Sequence, residues 1–233
     1  MSGVRIWRAH LDSMPAAVLE ELGALLDSAE HTRAARFHFE QDRQHYVVTR
    51  GLLRSLLGAE LDKNPSTLVF EYGSRGKPAI VAGAHDRALR FNVSHSSGWA
   101  MFALAWDREV GIDLECGPRL ERDDNSLSQL AARILSIREL ATWHDLPNDA
   151  QRRVAFLRAW TRKEAYAKAT GQGVFDELDR IEVALDAAAP KSSLTLPAAN
   201  AEGRTRGWTI HDLSAPDGFA AALAIEQDQQ STG

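Results

Sequence analysis

The chain has 233 residues, of which 44% are hydrophobic and 25% charged, so it reads as an ordinary soluble globular protein able to bury a core as one large domain or two small ones. A formal net charge of -5 excludes any global attraction to nucleic acid or anionic membrane, so an anion site has to come from locally clustered Arg and Lys. The single cysteine, Cys116, excludes an internal disulfide framework and a multi-cysteine metal site, and is expected to be a small buried hydrophobe.

The opening MSGVRIWRAHLDSM lacks the basic start and apolar run of a secretory signal, and no segment approaches the roughly 20 apolar residues of a membrane span, which predicts a cytoplasmic protein. Residues 4 to 10 alternate like a strand, 14 to 28 carry helical apolar spacing with Pro15 in the first turn, and 42 to 58 form a second helix from Asp42 to Gly58. Strand patterns follow at 67 to 72, 89 to 93 and 99 to 106, with a turn at 73 to 78. The order then repeats: a strand at 110 to 115, helices at 126 to 144 and 150 to 170, and strands at 179 to 185, 207 to 213 and 218 to 225. Residues 190 to 203 read as a surface excursion and 227 to 233 as a loose tail. GWAMFALA (98 to 105) is echoed by GFAAALAI (218 to 225), which suggests two related halves, 1 to 106 and 107 to 233, each ending its sheet with that strand.

Two stretches carry the chemistry. In VGIDLE (110 to 115) strand alternation places Val110, Ile112 and Leu114 on one face, expected to anchor the strand in the second half's core, and Gly111, Asp113 and Glu115 on the other. Carboxylates at i and i+2, about 6.5 Å apart at Cα, can converge on one cation. All-oxygen ligands favour Mg²⁺ over zinc, although the solvated face of an edge strand shows the same triplet. In FLRAWTRKEAYAKATGQG (156 to 173), Phe156, Trp160, Glu164 and Lys168 form one i, i+4 ridge that runs from aromatic to charged, so the acid and the lysine continue an apolar stripe. Arg162 and Lys163 add positive charge in the same turn. Lys77 in a Gly-Lys-Pro turn and Ser94-His95-Ser96 after a strand offer donors for phosphate oxygens, though each is also ordinary turn chemistry. A Ser-His-Asp hydrolase fits poorly, because no G-x-S-x-G elbow is present, and Walker and dinucleotide glycine loops are missing.

Taken in order, GKP (76 to 78), FNVSHS (91 to 96), GIDLE (111 to 115) and WTRKEAYAKATGQG (160 to 173) resemble the signature set of the 4'-phosphopantetheinyl transferases, in particular the two-halved Sfp-type branch. RAARFHFEQDRQHYVVTRGLLRSLLG (33 to 58) is similar to that family's N-terminal helix region. The resemblance implies an α+β fold of two similar subdomains related by a pseudo-twofold, each a small antiparallel sheet packed on helices, with the site in the cleft between them and a monomer sufficing. It implies transfer of phosphopantetheine from coenzyme A to a serine of an acyl or peptidyl carrier protein, with release of 3',5'-ADP. By the family pattern Asp113, Glu115 and Glu164 hold Mg²⁺, Glu164 helps deprotonate the serine, and Lys168 stabilises the leaving phosphate. Ser94, His95, Lys77 and Lys163 face CoA phosphates or nucleotide, and Arg33 meets the 3'-phosphate, with Arg36 as a substitute. Arg54 resembles a recurrent arginine or is a helix-surface charge. The carrier surface is expected around 118 to 135, where Leu127, Leu130, Ile134 and Leu135 are docking residues or core. Two other readings stay open: a Mg²⁺-dependent CoA or nucleotide diphosphate hydrolase, and a non-catalytic CoA-binding or carrier-binding homologue.

Overall fold

The computed structural model describes residues 3–12, 14–73, 76–81, 87–117, 124–171, 178–185, 191–199 and 205–227. The first half runs β1 (Val4–His10), α1 (Ala16–Gly23), α2 (Ser28–Ala34), α3 (Glu40–Leu61), the short β2 (Phe70–Tyr72) and β3 (Pro78–Ile80), then β4 (Leu89–Ser96) and β5 (Trp99–Trp106). The second runs β6 (Val110–Cys116), α4 (Asp124–Ile134), α5 (Ile137–His144), α6 (Asp149–Thr170), β7 (Lys191–Ala199), β8 (Thr205–Asp212) and β9 (Phe219–Glu226). The main sheets are antiparallel, ordered β1-β5-β4 and β6-β9-β8-β7, with β2 and β3 a separate pair. In both main sheets the first strand of a half pairs with its last, and the last with a strand preceding it, so the topology follows the echo of 98 to 105 in 218 to 225. Among the described residues no helix is long and apolar enough to cross a membrane.

The two echoing strands are apolar on both faces because both faces are covered. Ala100, Phe102 and Leu104 of β5 pack with Leu22, Val48, Leu53 and Leu57 of α1 and α3, while Ala222 and Ala224 of β9 pack with Phe156, Ala159 and Trp208. Their other faces meet: Met101, Ala103 and Ala105 share one cluster with Ala221, Leu223 and Ile225 and with Val110, Ile112 and Leu114. The apolar face of β6 therefore lies in the layer between the two sheets rather than in the second half's own core. Its opposite face lies on α6, where a Cβ on Gly111 would stand 2.0 Å from the Ala165 carbonyl and 2.4 Å from the Ala169 nitrogen. Gly111→Ala has to lift the strand from the helix, and we expect it to cost about 3 kcal/mol and lower Tm by roughly 6 to 12 °C in a thermal melt.

The halves are also stitched along β4 and β6, by side chains standing in for a backbone ladder. The Ile112 amide donates to Asn92 Oδ1 (2.9 Å), the Leu114 amide to Ser94 Oγ (3.2 Å) and the Cys116 amide to Ser96 Oγ (3.3 Å). The alternation Asn-x-Ser-x-Ser in FNVSHS thus satisfies one edge of β6 while β9 pairs with the other.

Several element boundaries differ from the sequence reading, each for a local reason. The helix expected at 14 to 28 stops at Gly23, and α2 begins from a capping box between Asp27 and Glu30. The helix expected at 126 to 144 is likewise broken by a Ser136 to Glu139 capping box. The strand expected at 179 to 185 does not form: Leu178–Arg180 is a 3-10 turn, and 182–185 have no regular structure yet bury Val183 and Leu185, held by side chains, with Glu139 accepting from the Val183 amide and Arg162 and Arg158 donating to the carbonyls of Ala184 and Leu185. Much of the expected surface excursion is β7, which pairs with β8 at the edge of the sheet through a register shift between Thr195 and Ala199. Of the expected tail, 228–233 lie outside the described residues, and the Gln227 amide bonds to the Gly207 carbonyl.

Candidate active site

Strand β6 and helix α6 bring the two acidic motifs together. Helix α6 starts at Asn148, whose side chain accepts from the Gln151 amide, and ends at Gly171 in the left-handed region. Its ridge carries buried Phe156 into Glu164 and Lys168, which meet the Asp113 face of β6. Lys168 Nζ lies 2.5 Å from Asp113 Oδ1 and 3.0 Å from Ser94 Oγ, and Ser94 Oγ donates to the same Asp113 oxygen at 3.0 Å. Asp113 is only 1% exposed and Glu164 3%, whereas Glu115 is half-buried, with Ser96 Oγ 3.5 Å from its Oε2.

Two oxygens in this cluster, Asp113 Oδ2 and Glu164 Oε1, are buried without a hydrogen-bond partner among the described residues. Burial first, then the Asp113 charge, push the Glu164 carboxyl up to about 8, with Lys168 opposing and Glu115 adding to the rise. Among the described residues no three His, Cys, Asp or Glu side chains are drawn into a ready-made metal cluster, and Lys168 occupies one Asp113 oxygen. The residues nevertheless fit a hard divalent cation that takes one or two carboxylates and completes its shell from substrate phosphate and water, because two orphaned carboxylate oxygens are what such an ion satisfies.

The raised Glu164 has a stability consequence in the metal-free protein. Its folded value of about 8 lies above the ordinary 4.5, so ionisation opposes folding: the wild type loses stability as pH rises from 4.5 to about 8, and Glu164→Gln cannot. Denaturant midpoints at about pH 5 and about pH 9 should show the variant gaining on the wild type by on the order of a few kcal/mol.

The other predicted residues fall into two groups. His95, at the end of β4, lines a cavity of about 260 Å³ together with Arg33, Tyr46, Thr49 and Tyr72. Arg33 also borders an adjoining open groove of about 670 Å³ that contains Arg36, and its guanidinium lies 5.5 Å over the Tyr46 ring. Lys77 lines a third cavity of about 420 Å³, but its ammonium donates to Glu109 (2.8 Å) and to the Ala169 carbonyl (2.7 Å), tying the Gly-Lys-Pro turn to the end of α6.

Lys163 is not brought to the site. It is wholly buried and donates to Glu139 (2.5 Å) and to the carbonyls of Ile134 and Leu178, because neighbours in a helix point about 100° apart and Glu164 takes the cleft side. Arg162 grips both oxygens of Asp212 at 2.7 Å. Arg54 is fully buried among Asp27, Glu30 and the carbonyls of Pro65 and Leu68, and so belongs to the fold. Residues 118–123 of the expected carrier surface lie outside the described residues, while Leu127, Ile134 and Leu135 are buried core and Leu130 packs against it. The sequence reading did not single out Tyr46 and Thr49 within the 33 to 58 stretch, nor Glu109 outside any motif, and each gains meaning from the cavity it lines.

Comparison with known proteins gives this arrangement its context. Residues 109–224 match the model of the 4'-phosphopantetheinyl transferase superfamily, and residues 14–106 match that of the 4'-phosphopantetheinyl transferase N-terminal region. The chain is 39% identical over 222 residues to the 4'-phosphopantetheinyl transferase HetI of Nostoc sp., covering 95% of this chain and 87% of that protein. The chain belongs to the 4'-phosphopantetheinyl transferase superfamily. This transferase is also 35% identical over 161 residues to a putative 4'-phosphopantetheinyl transferase of Synechocystis sp., covering 68% of this chain and 62% of the relative. It is 29% identical to the L-aminoadipate-semialdehyde dehydrogenase-phosphopantetheinyl transferase of Xenopus laevis, over 66% of this chain and 52% of that one. The two model matches meet at the junction between β5 and β6, so the acids and α6 of the transferase lie in one matched segment and the Arg33 to His95 cavity in the other.

Proposed function

We propose that the protein transfers 4'-phosphopantetheine from coenzyme A to a serine hydroxyl of an acyl or peptidyl carrier protein, with Mg²⁺ as cofactor and 3',5'-ADP as the second product. The observation that carries this reading is the pair of orphaned carboxylate oxygens on Asp113 and Glu164, set against the Lys168 ammonium. The relatives' names support it at the level of the group transferred. Asp113, Glu115 and Glu164 would hold the ion, which when bound supplies charge neutralisation at the diphosphate.

The nucleophile comes from the carrier, so the enzyme needs orientation, a proton acceptor and a cationic clamp rather than a reactive serine or cysteine of its own. The serine oxygen bonds to the phosphorus on the pantetheine side as the bridging P–O bond breaks, and the electron pair leaves with the 3',5'-ADP phosphate. Glu164 Oε1, unpartnered and more basic than an ordinary carboxylate, accepts the serine proton directly or through one water. Lys168, held by Asp113 and Ser94, offsets the charge that builds on the leaving phosphate. Ser94 of the first half meets Asp113 and Lys168 of the second within a single chain, which supports a monomer as the working unit.

Incubation of the purified protein with CoA, Mg²⁺ and a panel of apo carriers should add the phosphopantetheine mass to the carrier serine. No mass change on any carrier would overturn the reading, and 3',5'-ADP release at full rate without carrier would replace it with hydrolysis.

A further inference from the structure

The Gly-Lys-Pro turn carries a lysine that is already spoken for. Gly76 and Pro78 form part of the wall of the 260 Å³ cavity with Arg33 and His95, whereas Lys77 lines the 420 Å³ cavity, where its ammonium donates to Glu109 Oε2 (2.8 Å) and to the Ala169 carbonyl (2.7 Å). Ala169 lies in the last turn of α6, where carbonyls lack intrahelical donors and a cation is favoured. Glu109 is a fixed post: its amide donates to Glu226 Oε2 (3.1 Å) and its carbonyl accepts from the Glu226 amide (3.0 Å), which continues the pairing of β6 with β9. Its other oxygen lies 3.1 Å from Arg90 Nε, so one carboxylate of the second half holds two cations of the first. The Lys77 and Glu109 side chains are 24% and 23% exposed, and an ion pair this open to water adds little to stability, so its consequence lies in what it holds still.

We propose that Glu109 is a positioning residue for coenzyme A: it holds the Lys77 ammonium against the end of α6, so that Gly76 and Pro78 are fixed as a wall of the cavity with Arg33 and His95, and Lys77 serves as a strap rather than as a phosphate ligand. The proposal rests on the coenzyme A reading above. The strap joins the halves at a point where both bear on the site. Glu109 stands four residues before Asp113 at the head of β6, and Ala169 follows Lys168 on α6. The backbone of the turn alone does not fix its place, because Gly76 sits at φ 81° and its amide bonds only as far as the Gly73 carbonyl (2.8 Å), within the turn itself. The tie to α6 comes from the Lys77 side chain, and Glu109 keeps that side chain there.

Glu109→Gln keeps the shape of the post and removes its charge, and Lys77→Met removes the other end of the strap. In the protein without ligand, each variant should speed hydrogen–deuterium exchange of the 76–81 amides about five-fold, with Tm lower by no more than about 4 °C. Calorimetric affinity for CoA should fall about five-fold in each, with KM for CoA rising in step and kcat within about two-fold of wild type. The double variant should be no worse than either single one, because the two residues act as a unit. A phosphate-binding Lys77 gives the opposite sign: Glu109→Gln then releases the ammonium, and CoA affinity holds or rises while Lys77→Met alone loses it. That pattern overturns the assignment, as does unchanged exchange in Glu109→Gln, or faster exchange with unchanged CoA affinity. Exchange is measured without CoA, so it decides the strap by itself, and a wild type that binds no CoA overturns the coenzyme A reading instead.

Discussion

Asp113→Asn should lower kcat/KM for carrier modification by at least about a hundred-fold while the protein remains folded. The amide matches the carboxylate in shape, and its oxygen can still accept from Lys168 and Ser94, the contacts that Asp113 Oδ1 makes in the native protein. The nitrogen replaces Oδ2, which has no partner among the described residues. What disappears is the negative charge, and with it one of the two unsatisfied acceptors that suit a divalent ion. Mass spectrometry of the carrier and a circular-dichroism melt separate the two properties: transfer near the wild-type rate, or collapse of the fold, would each contradict this account of the residue.

Lys163→Met should do the reverse. Removing the ammonium strands the Glu139 carboxylate in the core, where it also accepts from the Ser136 and Val183 amides, and it leaves the carbonyls of Ile134 and Leu178 without their donor. Burial pulls the Lys163 ammonium below its ordinary range while Glu139 holds it charged, so the pair stands or falls together. Breaking such a pair costs about 3 to 5 kcal/mol, or a fall in Tm of roughly 6 to 20 °C for a chain of this size. The folded fraction should keep the wild-type KM for CoA. A large rise in KM with unchanged Tm would instead return Lys163 to the phosphate site.

The contrast between Lys163 and Lys168 shows where sequence reasoning succeeds. Spacing of i, i+4 on a helix and i, i+2 on a strand are geometric statements, so the ridge ending in Lys168 and the Gly111, Asp113, Glu115 face were legible before any coordinates. Lys163 is adjacent to Glu164 in the chain and was assigned by proximity, which the helix does not respect. The 179 to 185 pattern was legible as buried alternation but not as to partner, because Glu139, Arg158 and Arg162 reach it from elsewhere in the chain. The breaks before α2 and α5 were written in Asp27-x-x-Glu30 and Ser136-x-x-Glu139, and longer apolar periodicity masked them.

One atom belongs to both the framework and the chemistry. Ser94 Oγ receives the Leu114 amide, donates to Asp113 and receives Lys168, so the rivet between the halves is also the pivot of the acid and the lysine. Alignment of the halves and alignment of the reacting groups are therefore a single degree of freedom. A chain whose halves have shifted along β4 presents Asp113 and Lys168 to a different side chain, and transfer is then expected to fail before either sheet comes apart.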